Sequence, residues 1–118
     1  MSHQEREVWG RVAETLAAWS LRLKGYRILA RRFKTPLGEL DLVARRGQLV
    51  AFIEVKARTD LDQALIALGP RQRERTARAA ELFLLRHPGH AGCTLRFDLI
   101  AVRPWRLPHH LIDAWRPG

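Results

Sequence analysis

The sequence predicts a mixed α/β domain with a central β-sheet flanked by helices. Two long stretches repeat apolar residues every three or four positions, which is the helical period. Shorter apolar stretches bounded by Gly, Pro or polar residues read as strands. Their order is helix, three strands, helix, two strands, which builds a layered α/β domain. The 118 residues allow one such domain, spanning 1–118, with one real core.

The first helix is expected from about Gln4 to Lys24. Val8, Trp9, Val12, Leu16, Trp19 and Leu23 form one apolar stripe on it, expected to face the core. Gly25 is a fitting helix stop. Tyr26 to Phe33 reads as a strand, and Thr35-Pro36-Leu37-Gly38 is turn chemistry. Glu39 to Ala44 and Leu49 to Lys56 read as a hairpin around Arg45-Arg46-Gly47-Gln48. Leu61 to Leu68 allows one or two helical turns. Gly69-Pro70 opens a longer helix to about Arg86, with Pro at a favoured first position. Ala77, Ala80 and Leu84 are expected to face its core side, with Arg71, Arg75 and Arg78 together on another face. Strands at Thr94 to Val102 and Leu107 to Trp115 complete the order.

Composition narrows the function classes. Twenty-one basic residues against twelve acidic ones give a net charge of +9, the electrostatic footprint of a polyanion binder. Nucleic acid is the favoured partner, although an arginine-rich composition alone would also raise this number. No apolar run exceeds five residues, which rules out a membrane-spanning helix. The single cysteine, Cys93, excludes an intrachain disulfide, and with no secretory pattern at the N-terminus a cytoplasmic location is expected.

The chemistry concentrates in Gly38-Glu39-Leu40-Asp41-Leu42 and Phe52-Ile53-Glu54-Val55-Lys56-Ala57-Arg58. Alternate strand residues share a face, so Glu39, Asp41 and Val43 project together, as do Phe52, Glu54 and Lys56. A hairpin centred between Arg46 and Gly47 would set Glu39 opposite Glu54 and Asp41 opposite Phe52. Carboxylates gathered this way repel unless a cation binds between them. Mg²⁺ or Mn²⁺ suits such a set, since hard cations take oxygen ligands and keep open positions for water and phosphate. Lys56 on the same face can hold the attacking water or the developing charge. The plain alternative is a solvated strand face with Glu–Lys pairing. Two features weigh against it: the acids interrupt strands whose opposite residues, Leu40, Leu42, Ile53 and Val55, need burial, and Lys occurs only three times among 21 basic residues.

These segments, with Arg96-Phe97-Asp98-Leu99-Ile100 and the terminal His110-Leu111-Ile112-Asp113-Ala114-Trp115, resemble the YraN family of small bacterial proteins. That family is placed in the restriction-endonuclease-like, PD-(D/E)xK nuclease superfamily, with Holliday-junction resolvases as similar relatives. The resemblance covers nearly the whole chain. It implies a restriction-endonuclease-like fold and Mg²⁺- or Mn²⁺-dependent cleavage of DNA, possibly branched or structured. Asp41 and Glu54 would be metal-binding acids and Lys56 the superfamily lysine. Glu14, flanked on its helix face by Gly10, Ala17 and Leu21, matches the helical acid that joins the metal in resolvase-like relatives; Glu39 would assist. Arg58, Arg71, Arg75 and Arg78 would meet DNA, and resolvase-like relatives act as homodimers. The family often carries Lys near the start of the long helix, where this chain has Arg71-Gln72-Arg73.

Other groups carry less. His87, His90 and Cys93 have a zinc-like spacing but no nearby fourth ligand. No nucleophilic triad or glycine-rich phosphate loop stands out. Trp9 and Trp19 sit on the helical stripe, which leaves Trp105 as the tryptophan open to nucleic acid. A non-catalytic nucleic-acid binder on a nuclease fold and a protein-interaction module remain the rival readings.

Overall fold

The computed structural model describes residues 2–118 and shows the expected layered α/β architecture. Helix α1 (His3–Leu23) is followed by strands β1 (Arg27–Thr35), β2 (Gly38–Arg46) and β3 (Leu49–Ala57). A short helix α2 (Leu61–Ile66) and the long α3 (Pro70–Arg86) cross to β4 (Thr94–Val102), and β5 (His109–Trp115) closes the chain. The five strands lie in sequence order in one sheet. β3 and β4 are parallel, in register from Leu49 opposite Thr94 to Ala57 opposite Val102; every other pair is antiparallel. A parallel pair needs a long crossover, which is what α2 and α3 provide. Among the described residues no helix is long and apolar enough to cross a membrane.

The sheet is covered on both faces. α3 packs Ala79, Ala80 and Phe83 onto Val43, Val50, Phe52, Phe97 and Leu99, with Trp115 beside Phe97. α1 packs onto Leu42, Ile53 and Ile100. Burial on both faces accounts for the near-continuous apolar runs of β3 and β4.

The face that α1 turns to the sheet differs from the one expected. Ala13, Glu14, Ala17, Ala18 and Leu21 are buried, whereas Trp19 is 57% and Leu23 86% exposed. Val8, Val12 and Leu16 are exposed as well, and Trp9 is half-buried. Small side chains let the helix axis approach the sheet closely, so the alanine face wins the packing and the bulky stripe is left outside. In α3 the expected faces hold: Ala77, Ala80 and Leu84 pack toward the core, while Arg71, Arg75 and Arg78 are exposed.

The hairpin register also differs. Arg46 pairs with Leu49 around a two-residue Gly47-Gln48 loop, and the pairing continues to Leu42 opposite Ile53. Gly47 has φ +60°, the positive angle that tight hairpin turns require. Glu39 therefore does not oppose Glu54; its partner is Lys34 on β1.

At Gly38, β2 passes directly against the backbone of α3. A β-carbon there would lie 2.1 Å from the Arg75 carbonyl oxygen. Gly38→Ala must push the helix off the sheet. We expect a loss of about 1–3 kcal/mol or more, the usual range for overpacking, read as a lowered thermal midpoint.

Candidate active site

β2 and β3 part after Leu42 and Ile53. Beyond that point β2 continues with β1 alone and β3 with β4. Leu42 packs on the α1 side, but Leu40, two residues earlier, packs on the α3 side. Strict alternation is thus broken across Asp41, at the place where the strand is released from its neighbour. The expectation that Leu40 and Leu42 share a face fails for this reason. Asp41 and Glu54 are the next residues along the two parting strands.

Asp41 lies in this fork. Its Oδ2 accepts a hydrogen bond from the Val55 backbone N–H at 2.8 Å, so a carboxylate replaces the strand carbonyl that would continue the ladder. Burial pushes the Asp41 carboxyl up to about 7, and the nearby Glu54 charge pushes in the same direction; the Val55 bond and Lys56 oppose them. Glu54 is buried. Its Oε1 is 3.2 Å from Lys56 Nζ and accepts from Gln72 Nε2 at 3.3 Å. Asp41, Glu54 and Lys56 are therefore electrostatic neighbours, with α3 contributing Gln72.

A cleft of about 330 Å³ opens beside Asp41. Glu14, Arg32, Lys34, Glu39 and Val55 are among its walls. Glu14 is buried, as its small-residue flanks suggest, but both its oxygens are engaged: Arg31 Nε lies 3.4 Å from Oε1 and Arg32 Nε 3.1 Å from Oε2. Consecutive strand residues normally point to opposite faces. Arg32 has φ +53°, and this departure from strand geometry is how both guanidinium groups reach one carboxylate. Glu39 is exposed at the cleft. Among the described residues no three His, Cys, Asp or Glu side chains gather closely enough to hold a metal together. The fork thus offers a donor set of two carboxylates, Asp41, which lines the cleft, and Glu54, which is not among its walls. That fits Mg²⁺ or Mn²⁺, which commonly take one or two protein carboxylates and complete their shell with water and phosphate.

The sheet end also carries Arg58, exposed, whose N–H donates to Val102 O at 3.2 Å. Arg71, Arg75 and Arg78 line a separate shallow groove with Leu37 and Glu74. Arg78 is partly occupied by Glu74 at 4.0 Å and Glu81 at 3.6 Å. Trp105 is fully exposed on the β4–β5 loop with φ +60°. His87 stacks on Phe83 and His90 contacts Arg45, so that histidine pair is occupied by packing and hydrogen bonding.

The matching family model, described as uncharacterised protein family UPF0102, spans residues 13–102, three quarters of the chain and both strands of the fork. The chain belongs to that family. A UPF0102 protein of Paramagnetospirillum magneticum (amb4503) is 57% identical over 119 residues, covering 98% of this chain and 92% of the relative. UPF0102 proteins of Rhodopseudomonas palustris strain HaA2 and Parvibaculum lavamentivorans are 60% and 58% identical, covering 87% and 89% of the chain and 80% and 79% of the relatives. The likeness to the YraN family read from the motifs agrees with UPF0102 membership. The family description itself assigns no activity, so the chemistry rests on the fork.

Gln72 was not foreseen as a site residue. It shares the buried face of α3 with Thr76, Ala79 and Phe83 at helical spacing, and that spacing was the available signal.

The raised Asp41 carboxyl has a consequence for stability. Its folded value lies above the unfolded one of 3.8, so the folded state binds this proton more tightly. Metal-free stability must then fall as pH rises from about 4 to 7, by on the order of 1.4 kcal/mol per unit crossed at most. Asp41→Asn keeps an acceptor for Val55 and removes the buried charge. We expect its melting temperature to exceed wild type at pH 8 and to match it near pH 4.

Proposed function

We propose that this protein is a divalent-metal-dependent nuclease that hydrolyses phosphodiester bonds in DNA. The observation that carries the reading is the fork itself: two mutually repelling carboxylates, half-buried Asp41 and buried Glu54, with Lys56 against Glu54 and a polar cleft at Asp41. Lys56 offsets only part of that repulsion, Asp41 keeps a raised carboxyl, and a bound cation would relieve the rest. Asp41 and Glu54 would hold Mg²⁺ or Mn²⁺, which when bound supplies Lewis-acid stabilisation of the phosphate. Lys56 orients the attacking water and balances charge building on the phosphoryl oxygens. Gln72 fixes the Glu54 carboxylate in place. Glu14 and Glu39 shape the cleft, Glu14 by holding Arg32 at its wall. Arg58, Arg71, Arg75 and Arg78 supply charge for the phosphate backbone.

The test is a cleavage panel of linear, flapped and four-way DNA, and RNA of matching shape, with Mg²⁺, Mn²⁺ or chelator. Strand cleavage that requires metal is the expected result. Binding without cleavage of any substrate would instead indicate a nucleic-acid-binding protein on a nuclease fold. Two further outcomes are expected. DNA affinity should fall steeply with salt, because phosphate contacts release counterions. Metal affinity should rise by up to about tenfold per unit from pH 6 to 7 and flatten above, since Asp41 must lose its proton to become a ligand; Mn²⁺ titration by paramagnetic relaxation reads this directly.

A further inference from the structure

We infer that α1 pairs with α1 of a second copy of this chain in an antiparallel two-helix seam. Trp9, Val12, Leu16, Trp19 and Leu23 are spaced three, four, three and four residues apart, the heptad spacing of a coiled-coil interface. In this fold the seam faces solvent: Val12, Leu16, Trp19 and Leu23 are exposed, and Val8 lies beside them. By ordinary side-chain sizes the exposed members present roughly 600 Å² of mostly apolar surface, at the upper limit for monomers and most of the ~800 Å² per partner of a standard interface.

Three features select a second copy in this orientation. Glu5, Val8, Trp9 and Val12 stand at i, i+3, i+4 and i+7, the four positions that form a hole for one knob. These four residues and Gln4 line an actual groove of about 300 Å³. An antiparallel register that seats Trp19 of the copy in this hole also sets Val12 against Leu16 of the copy, and the two-fold axis repeats both contacts. Finally, the Arg22 guanidinium lies over its own Trp19 ring at 5.4 Å, so it enters with the knob and arrives beside Glu5. Each dimer gains that charge pair twice. Glu7, Gly10, Arg11 and Glu14 line the cleft beside Asp41 and none belongs to the seam, so pairing leaves both clefts open.

Sedimentation equilibrium of the full chain, with and without DNA cleavage assays on the same samples, tests this independently of the nuclease reading. Wild type should be a dimer at micromolar concentration. Trp19→Glu should weaken association by about thirtyfold or more, as loss of a central aromatic anchor does, and its circular dichroism spectrum should match wild type because the side chain is exposed in the folded chain. Arg22→Glu should also weaken association, and adding Glu5→Arg to it should restore the dimer. A wild-type monomer at 100-fold higher concentration overturns the inference. So does a dimer that survives Trp19→Glu, and so does a monomer that instead binds phosphatidylglycerol vesicles through α1. Failure of charge-swap rescue overturns the antiparallel register.

Discussion

Asp41→Asn should abolish metal-dependent cleavage while leaving DNA binding intact or slightly improved. The substitution keeps the shape and a hydrogen-bond acceptor for Val55 but halves the negative charge available to a cation in the fork. Metal-supplied stabilisation of the transition state is worth several kcal/mol, so the loss should be about a thousandfold or more. On the proposed reading, binding would draw on the excess of 21 basic over twelve acidic residues and would gain from losing one phosphate-repelling charge. Single-turnover cleavage and a parallel binding titration separate the two effects. A variant that cuts as fast as wild type would remove Asp41 from the chemistry. The same variant is the one expected to melt higher at pH 8, so a dead enzyme here cannot be dismissed as an unfolded one.

The second large effect concerns Asp98, which is fully buried on β4. Its carboxylate accepts from Arg96 Nε at 2.8 Å and Nη2 at 2.7 Å, from His110 Nε2 at 2.7 Å and from the Asp113 backbone N–H at 2.9 Å. Arg96 also donates to Tyr26 Oη at 2.6 Å, and His110 Nδ1 lies 3.3 Å from Lys24 Nζ, which can only donate to it. One carboxylate thereby ties β5 and the end of α1 to β4. Burial pushes Asp98 up, but the hydrogen bonds from His110, Arg96 and Asp113 outweigh it and hold the carboxyl below its ordinary range. Asp98→Ala strands a buried imidazole and a part-buried guanidinium, and breaking such a network by removing one partner costs about 3–5 kcal/mol. The urea midpoint should fall accordingly. In wild type the folded value lies below 3.8, so this contribution is present above about pH 4 and is lost as pH drops further. An Asp98→Ala protein as stable as wild type would show the network to be incidental.

Element types and order were legible because each long segment has a clear period, and the apolar runs of β3 and β4 are what a sheet covered on both faces demands. The packing face of α1 was not. Hydrophobicity marks the bulky stripe, but axis-to-sheet distance is set by the smallest side chains, and Ala13, Ala17 and Ala18 win by letting the helix come close. The acidic pair was legible from the strand pattern and from the family likeness. Its register was not, because a four-residue and a two-residue hairpin loop share the same Arg-Arg-Gly-Gln letters, and only Gly47's positive φ decides between them. Asp98 was invisible for a different reason. A lone acid in an apolar strand looks the same whether solvated or buried, and its partners Arg96, His110 and Asp113 come together only when β5 folds back on β4.

The hydrogen bond from Val55 to Asp41 gives the fork its own spectroscopic probe. A backbone amide that donates to a carboxylate resonates differently when that carboxylate takes up a proton. The Val55 cross-peak in a nitrogen–proton correlation spectrum should therefore move along a titration curve with its midpoint near 7, while amides bonded to strand carbonyls stay still. Repeating the titration at a fixed Mg²⁺ concentration should shift that midpoint downward, because a cation favours the ionised form. One peak would thus follow the proton and the metal at the same oxygen pair, with no substitution in the protein.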